Sequence, residues 1–148
     1  MIDPTDYPGI RAWVQEWGGD VDYLDYVKSR GDMGMVVAFS RIFWPRFVEV
    51  EGCVLWDRVY EESNFAAWRE SLSGDMPKIE ATLNQLRVWQ IVDPGDGEEE
   101  WRAQRYFAEC VAKTWSAALS AEFPHRHFEV RVIDTEDGPI VTFSSGLR

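Results

Sequence analysis

The chain has little of what reactive sites are made from. Its two cysteines, Cys53 and Cys110, lie far apart with no CxxC spacing, so they offer neither a zinc knuckle nor a thioredoxin-type redox pair, and both are expected to stay reduced. There is no GxSxG nucleophile elbow, no P-loop and no GxGxxG fingerprint; Gly31-Asp32-Met33-Gly34-Met35 is too short a glycine pattern to cradle a phosphate. Nucleotide binding and motif-driven nucleophilic catalysis are left without a basis, and no cofactor is expected. The first residues, Met1-Ile2-Asp3-Pro4-Thr5-Asp6-Tyr7, lack a basic region followed by an apolar run, and no stretch of about 18 apolar residues occurs. The expectation is a cytoplasmic protein without a membrane partner.

Positive charge is also scarce. Against 26 acidic residues stand only 15 Lys and Arg, leaving a formal charge of -11. A field of that sign repels nucleic acid and anionic membranes and attracts cationic surfaces, so a basic protein is the partner expected and nucleic acid is not.

Large apolar side chains, by contrast, are plentiful. Hydrophobic residues make up 45% of the 148 residues and include 8 Trp, enough to offset the entropy of ordering one core of ordinary domain size. A single domain over residues 1–148 is expected. Its class follows from the order of the periodic segments. Short helices are predicted around Ile10 to Trp17 and, capped by Asp20, from there to Arg30. The run Met33 to Trp44 is apolar on nearly all sides and predicts a buried helix stopped by Pro45. Phe47-Val48-Glu49-Val50 and Cys53-Val54-Leu55-Trp56, separated by Glu51-Gly52, have the spacing of a two-residue hairpin. Asn64 is placed as the cap of a helix over Phe65 to Leu72, and Asp75 as the cap of another whose stripe of Ile79, Leu83 and Leu86 runs to about Trp89. After the loop at Asp93-Pro94-Gly95-Asp96-Gly97, the acidic turn Glu98-Glu99-Glu100 opens a long helix to about Glu122, with Trp101 and Trp115 among its apolar positions. Phe128, Val130 and Val132 alternate with polar residues, and a turn at Glu136-Asp137-Gly138 returns the chain as a partner strand over Ile140 to Ser144. Two hairpins forming one antiparallel sheet of about four strands, covered on one face by helices, make an α+β domain.

The candidate chemistry has ordinary explanations close by. On a strand, His125 and His127 would point two imidazoles to one side, but they flank Arg126 just after Pro124 with no further ligand at suitable spacing, and they read as solvated connector residues; no metal is expected. The clusters Asp20/Asp22/Asp25 and Glu98/Glu99/Glu100 fall in first turns of helices, where the dipole favours acids, and Glu61/Glu62 precede a cap. Cys53 lies in a strand and reads as core. Among the tryptophans, Trp56 stands beside Tyr60, Glu61 and Glu62, combining aromatic anchors with acid in the manner of a site for a basic protein surface. Those four residues are the expected partner-binding site. A strand end packed beneath a loop explains the same residues without a partner.

The segment Phe43-Trp44-Pro45-Arg46-Phe47-Val48-Glu49-Val50-Glu51-Gly52-Cys53-Val54-Leu55, with Asn64-Phe65-Ala66-Ala67-Trp68 after it, resembles a group of small, uncharacterised acidic bacterial α+β proteins in which a Trp-Pro turn leads into a glycine hairpin and a Trp-containing helix. In size, acidity and tryptophan content the chain is also similar to immunity proteins of bacterial polymorphic-toxin systems. That resemblance implies a neutralising role towards a cognate toxin and assigns no inhibitory residue. The leading expectation is a non-catalytic protein-binding domain, in its most specific form an immunity-type inhibitor of a basic toxin or effector. The alternative is a small enzyme or ligand-binding domain with a pocket between sheet and helices, using Glu61, Glu62 or His127.

Overall fold

Short acidic side chains decide where several helices begin. Pro8 opens α1 (Pro8–Glu16). Asp22 accepts from the amides of Leu24 and Asp25, and Asp25 accepts in return from the Asp22 amide, a reciprocal box that opens α2 (Tyr23–Arg30). Asp20, the predicted cap, has no such reciprocal partner three residues on. Asp32 caps α3 (Met33–Phe43), and Asp75 caps α5 (Met76–Leu83). In α4 (Glu62–Ser71) the cap is Glu61 rather than Asn64, because its longer carboxylate reaches the amides of both Ser63 and Asn64. α6 (Glu98–Glu122) is the long helix anticipated from the acidic turn. The computed structural model describes residues 1–146.

Glu51 and Gly52 both have positive φ, 49° and 88°, the backbone a two-residue hairpin turn requires. They join β1 (Phe47–Val50) to β2 (Cys53–Trp56) in the register Phe47 to Trp56 and Val50 to Cys53. β4 (Phe128–Thr135) and β5 (Gly138–Ser145) form the second hairpin. One strand escaped the sequence reading: α5 stops at Leu83, and Gln85–Arg87 is β3, antiparallel to β5. The helical stripe conceals it because Leu86 is apolar at the helical spacing and also sits at the centre of the three-residue strand.

The strands form a two-stranded sheet, β1-β2, and a three-stranded sheet, β3-β5-β4, instead of one sheet of four. The reason lies in α5. Glu80 and Asn84 place their side chains between β2 and β5 and bond to the backbone of both. A direct backbone ladder between those strands is replaced by a seam of side chains.

Helices cover both faces of this layer rather than one. On one side α6 contributes Val111, Trp115 and Leu119 against Phe47, Trp56 and Phe143. On the other, Phe65 of α4 with Ile79 and Leu83 of α5 meet Cys53 and Leu55. β2 is consequently buried along its whole length. Trp115 is the hub: its ring meets Trp56 and Phe143 edge-on, and its Nε1 donates to the Ile42 carbonyl at 2.8 Å, tying α6 to α3. Trp68 and Trp101, placed on apolar stripes by the sequence, stay substantially exposed.

Candidate functional site

The four residues anticipated as a partner-binding site separate in the fold. Trp56 is 3% exposed and belongs to the core, so it cannot act as a surface anchor; β2 carries it inward between α6 and the second sheet. Its Nε1 is buried with no acceptor among the described residues, and Arg58 lies over its ring. The three-residue 3-10 turn Asp57–Val59 then brings the chain to the surface at Tyr60. Tyr60 is 38% exposed and leans edge-on against Phe65, which fixes the ring while leaving part of it to solvent. Glu61 is engaged in capping α4; hydrogen bonds from the Ser63 hydroxyl and from the Asn64 and Ser63 amides hold its carboxyl below the ordinary value. Glu62, in the exposed first turn, has no such engagement among the described residues. The patch therefore reduces to Tyr60 and Glu62, with Glu61 fixing the helix that carries them.

The residues of the pocket alternative are also apart. Glu61 and Glu62 begin α4, whereas His127 lies in the exposed connector before β4, where its carbonyl accepts from the Gly146 amide. None of the three lines the cavities at the N-terminal segment, between α2 and α3, or beside the end of α4. Among the described residues no group of three or more His, Cys, Asp or Glu stands close enough to hold a metal ion.

An unexpected apolar surface lies on α3. The sequence places this helix in the interior, yet none of its residues is buried. Phe39 and Phe43 meet Phe107 of α6 edge-on, and these contacts with the Trp115–Ile42 bond anchor one side. The remaining sides face outward. Met33 is 73% and Val37 63% exposed, and Met35 and Val36 are open as well. Between α2 and α3 runs a cavity of about 590 Å³ walled by Tyr26, Val27, Met35, Val36, Phe39 and Phe43, with Arg30 its one charged lining residue. Arg30 sits over the Tyr26 ring. A helix apolar all round is normally covered. The same all-round apolarity that predicts burial in a core also marks a helix covered from outside, and sequence alone cannot separate the two.

The charge of this region is opposite to that of the chain. Residues 23–46 carry Lys28, Arg30, Arg41 and Arg46 against Asp25 and Asp32, a net +2, although the whole chain carries -11. The acidic field thus originates from the rest of the surface, including the face around Tyr60 and Glu62. No helix among the described residues is long and apolar enough to cross a membrane. No family model, no curated protein and no solved structure matches the chain.

Proposed function

We propose that the chain is a non-catalytic protein-binding domain of the cytoplasm that takes a basic protein surface, most specifically an immunity-type inhibitor of a basic toxin or effector. The observation that carries this reading is the segregation of charge: the acids are spread over an exposed surface and do not converge in the apolar cavity, where the only charged group is Arg30. Dispersed carboxylates act together as a field, which accelerates encounter with a cationic partner and penalises an anionic one. Tyr60, held by Phe65, supplies a rigid aromatic contact, and Glu62 beside it a carboxylate that stands in for the anionic substrate of the partner.

The test is a pull-down at low and high salt followed by association kinetics on the captured protein. A single basic partner is expected, with an association rate that falls steeply as salt rises and a dissociation rate raised by Tyr60→Ala. A partner whose association rate is indifferent to ionic strength would sink the mechanism.

A further inference from the structure

We propose that β4 is the contact for a second copy of this chain, the two β4 strands pairing antiparallel across a two-fold axis at Val130. β4 is the outer strand in the order β3-β5-β4, 8 residues long, and no strand lies beyond it among the described residues. Its register with β5 fixes which backbone groups are free. The Gly146 amide reaches the His127 carbonyl at 2.9 Å, so the odd-numbered residues from His127 onward turn their N–H and C=O toward β5. Pro139, which has no amide to donate, stands opposite Asp134, in the alternate set. The even-numbered residues Phe128, Val130, Val132 and Asp134 therefore direct their backbone groups outward, where no partner meets them among the described residues. A bare edge of this length is a template for another strand.

Charge selects a second copy and a single register. Glu129 and Arg131 share the open face of β4, both exposed, and neither forms an ion pair within its own chain among the described residues. With Val130 set against Val130 of the second copy, the outward backbone groups of Phe128, Val130 and Val132 all find partners. The same pairing puts each Glu129 opposite the other chain's Arg131, on one face and at a non-hydrogen-bonded position, where opposed Cα atoms are about 4.5 Å apart. The two-fold axis generates that ion pair twice. Sliding one strand by two residues, the smallest step that keeps the backbone bonds, sets Arg131 against Arg131 or Glu129 against Glu129. The charges of the contact thus balance in one register only, although each chain carries -11. Phe128, Val130 and Val132 pack against the core of their own chain, and the pairing draws on none of that packing. The inference is independent of the basic partner, whose contact surface lies around Tyr60.

Sedimentation equilibrium combined with amide hydrogen exchange tests it. Wild type is expected to pass from monomer to dimer as concentration rises. In the dimer the amides of Val130 and Val132 should gain protection, while those of Glu129 and Arg131, already turned to β5, should not change. Glu129→Arg and Arg131→Glu each set like charges opposite one another and should associate at least about tenfold more weakly than wild type, with unaltered circular dichroism spectra. Mixed one to one, the two variants should form a heterodimer, because the mixture restores both ion pairs. A wild type that stays monomeric at its highest soluble concentration overturns the proposal. So does a dimer without added protection at Val130 and Val132, or a mixture no more associated than either variant alone.

Discussion

Glu80 of α5 and Asn84, the C-cap of that helix, are both wholly buried and divide between them the unpaired backbone groups of β2 and β5. Glu80 accepts from the amides of Val54 and Ser145, each at 2.9 Å, and Asn84 accepts from Trp56 while donating to the Val54 carbonyl. Buried polar groups on a helix are tolerated when every lone pair has a donor, and here the donors are amides that a continuous sheet would otherwise have paired.

Removing either member therefore exposes no new surface but orphans backbone amides. Glu80→Ala leaves the Val54 and Ser145 amides without acceptors and is expected to cost about 2–6 kcal/mol, since each unsatisfied buried group costs about 1–3 kcal/mol. Asn84→Asp should be worse than Asn84→Ala, because it turns a donor to the Val54 carbonyl into a buried carboxylate facing it. Urea denaturation of the three variants checks both the size and the order. Equal stability of wild type and Glu80→Ala would mean that the seam is not holding the sheets.

The Trp115 indole combines packing with a hydrogen bond. It is fully buried between Trp56 and Phe143, and its Nε1 reaches the Ile42 carbonyl. Trp115→Phe keeps an aromatic ring but orphans that carbonyl and leaves a gap; Trp115→Ala empties the hub and is expected to cost about 3–5 kcal/mol. The Phe variant should lose less in denaturant and should also loosen α3, seen as faster amide exchange at its C-terminal end.

The elements that could be read before the structure are those whose signals are local. The hairpin at Glu51-Gly52 needs two residues of positive φ and declares them, and α6 advertises its start with three glutamates after Gly97. Glu80 and Asn84 were silent because a polar residue on a helix is ordinarily solvent-facing, and their partners are 26 to 65 residues away. The acidic neighbours of Trp56 point to the surface, yet the strand turns its ring inward and only Tyr60 emerges. That Tyr60 and Glu62 are exposed is legible from their acidic setting; that α3 is left uncovered is not, since an uncovered apolar helix and a core helix share one pattern.

Acid should act on the start of α4. The Glu61 carboxyl is held below its ordinary value of 4.5 by the Ser63 hydroxyl first and the Asn64 amide next. A group whose folded pKa is depressed contributes stability above its unfolded value and loses it as pH falls through the folded one. Wild-type α4 should thus fray as pH drops below about 4.5, and Glu61→Gln should show a flatter acid limb in a thermal-melt series. An unchanged acid limb would show that the cap contributes nothing measurable.

Cysteine reactivity should split by site. Burial, followed by the nearby Glu80 carboxylate, pushes the Cys53 thiol from 9.0 to about 11, whereas Cys110 is only half-buried. The neutral thiol is the form the fold favours, so this contribution is present below the unfolded value and lost as pH rises towards 11. Native protein at mildly alkaline pH is expected to take up a thiol reagent at Cys110 first, with Cys53 modified only on unfolding. Peptide mass spectrometry after timed alkylation distinguishes the two; rapid native labelling of Cys53 would contradict its placement.

The side-chain seam also bears on how the chain reaches this structure. The β1-β2 hairpin closes over two residues and can form by itself, but its open edge has nothing to bind until α5 has folded and β5, near the other end of the chain, has arrived. Because the Glu80–Ser145 contact spans 65 residues, its loop entropy must be met before it returns any stability. This separation predicts that the seam closes late in folding. Substitutions at Glu80 and Asn84 should then accelerate unfolding while leaving the refolding rate nearly untouched.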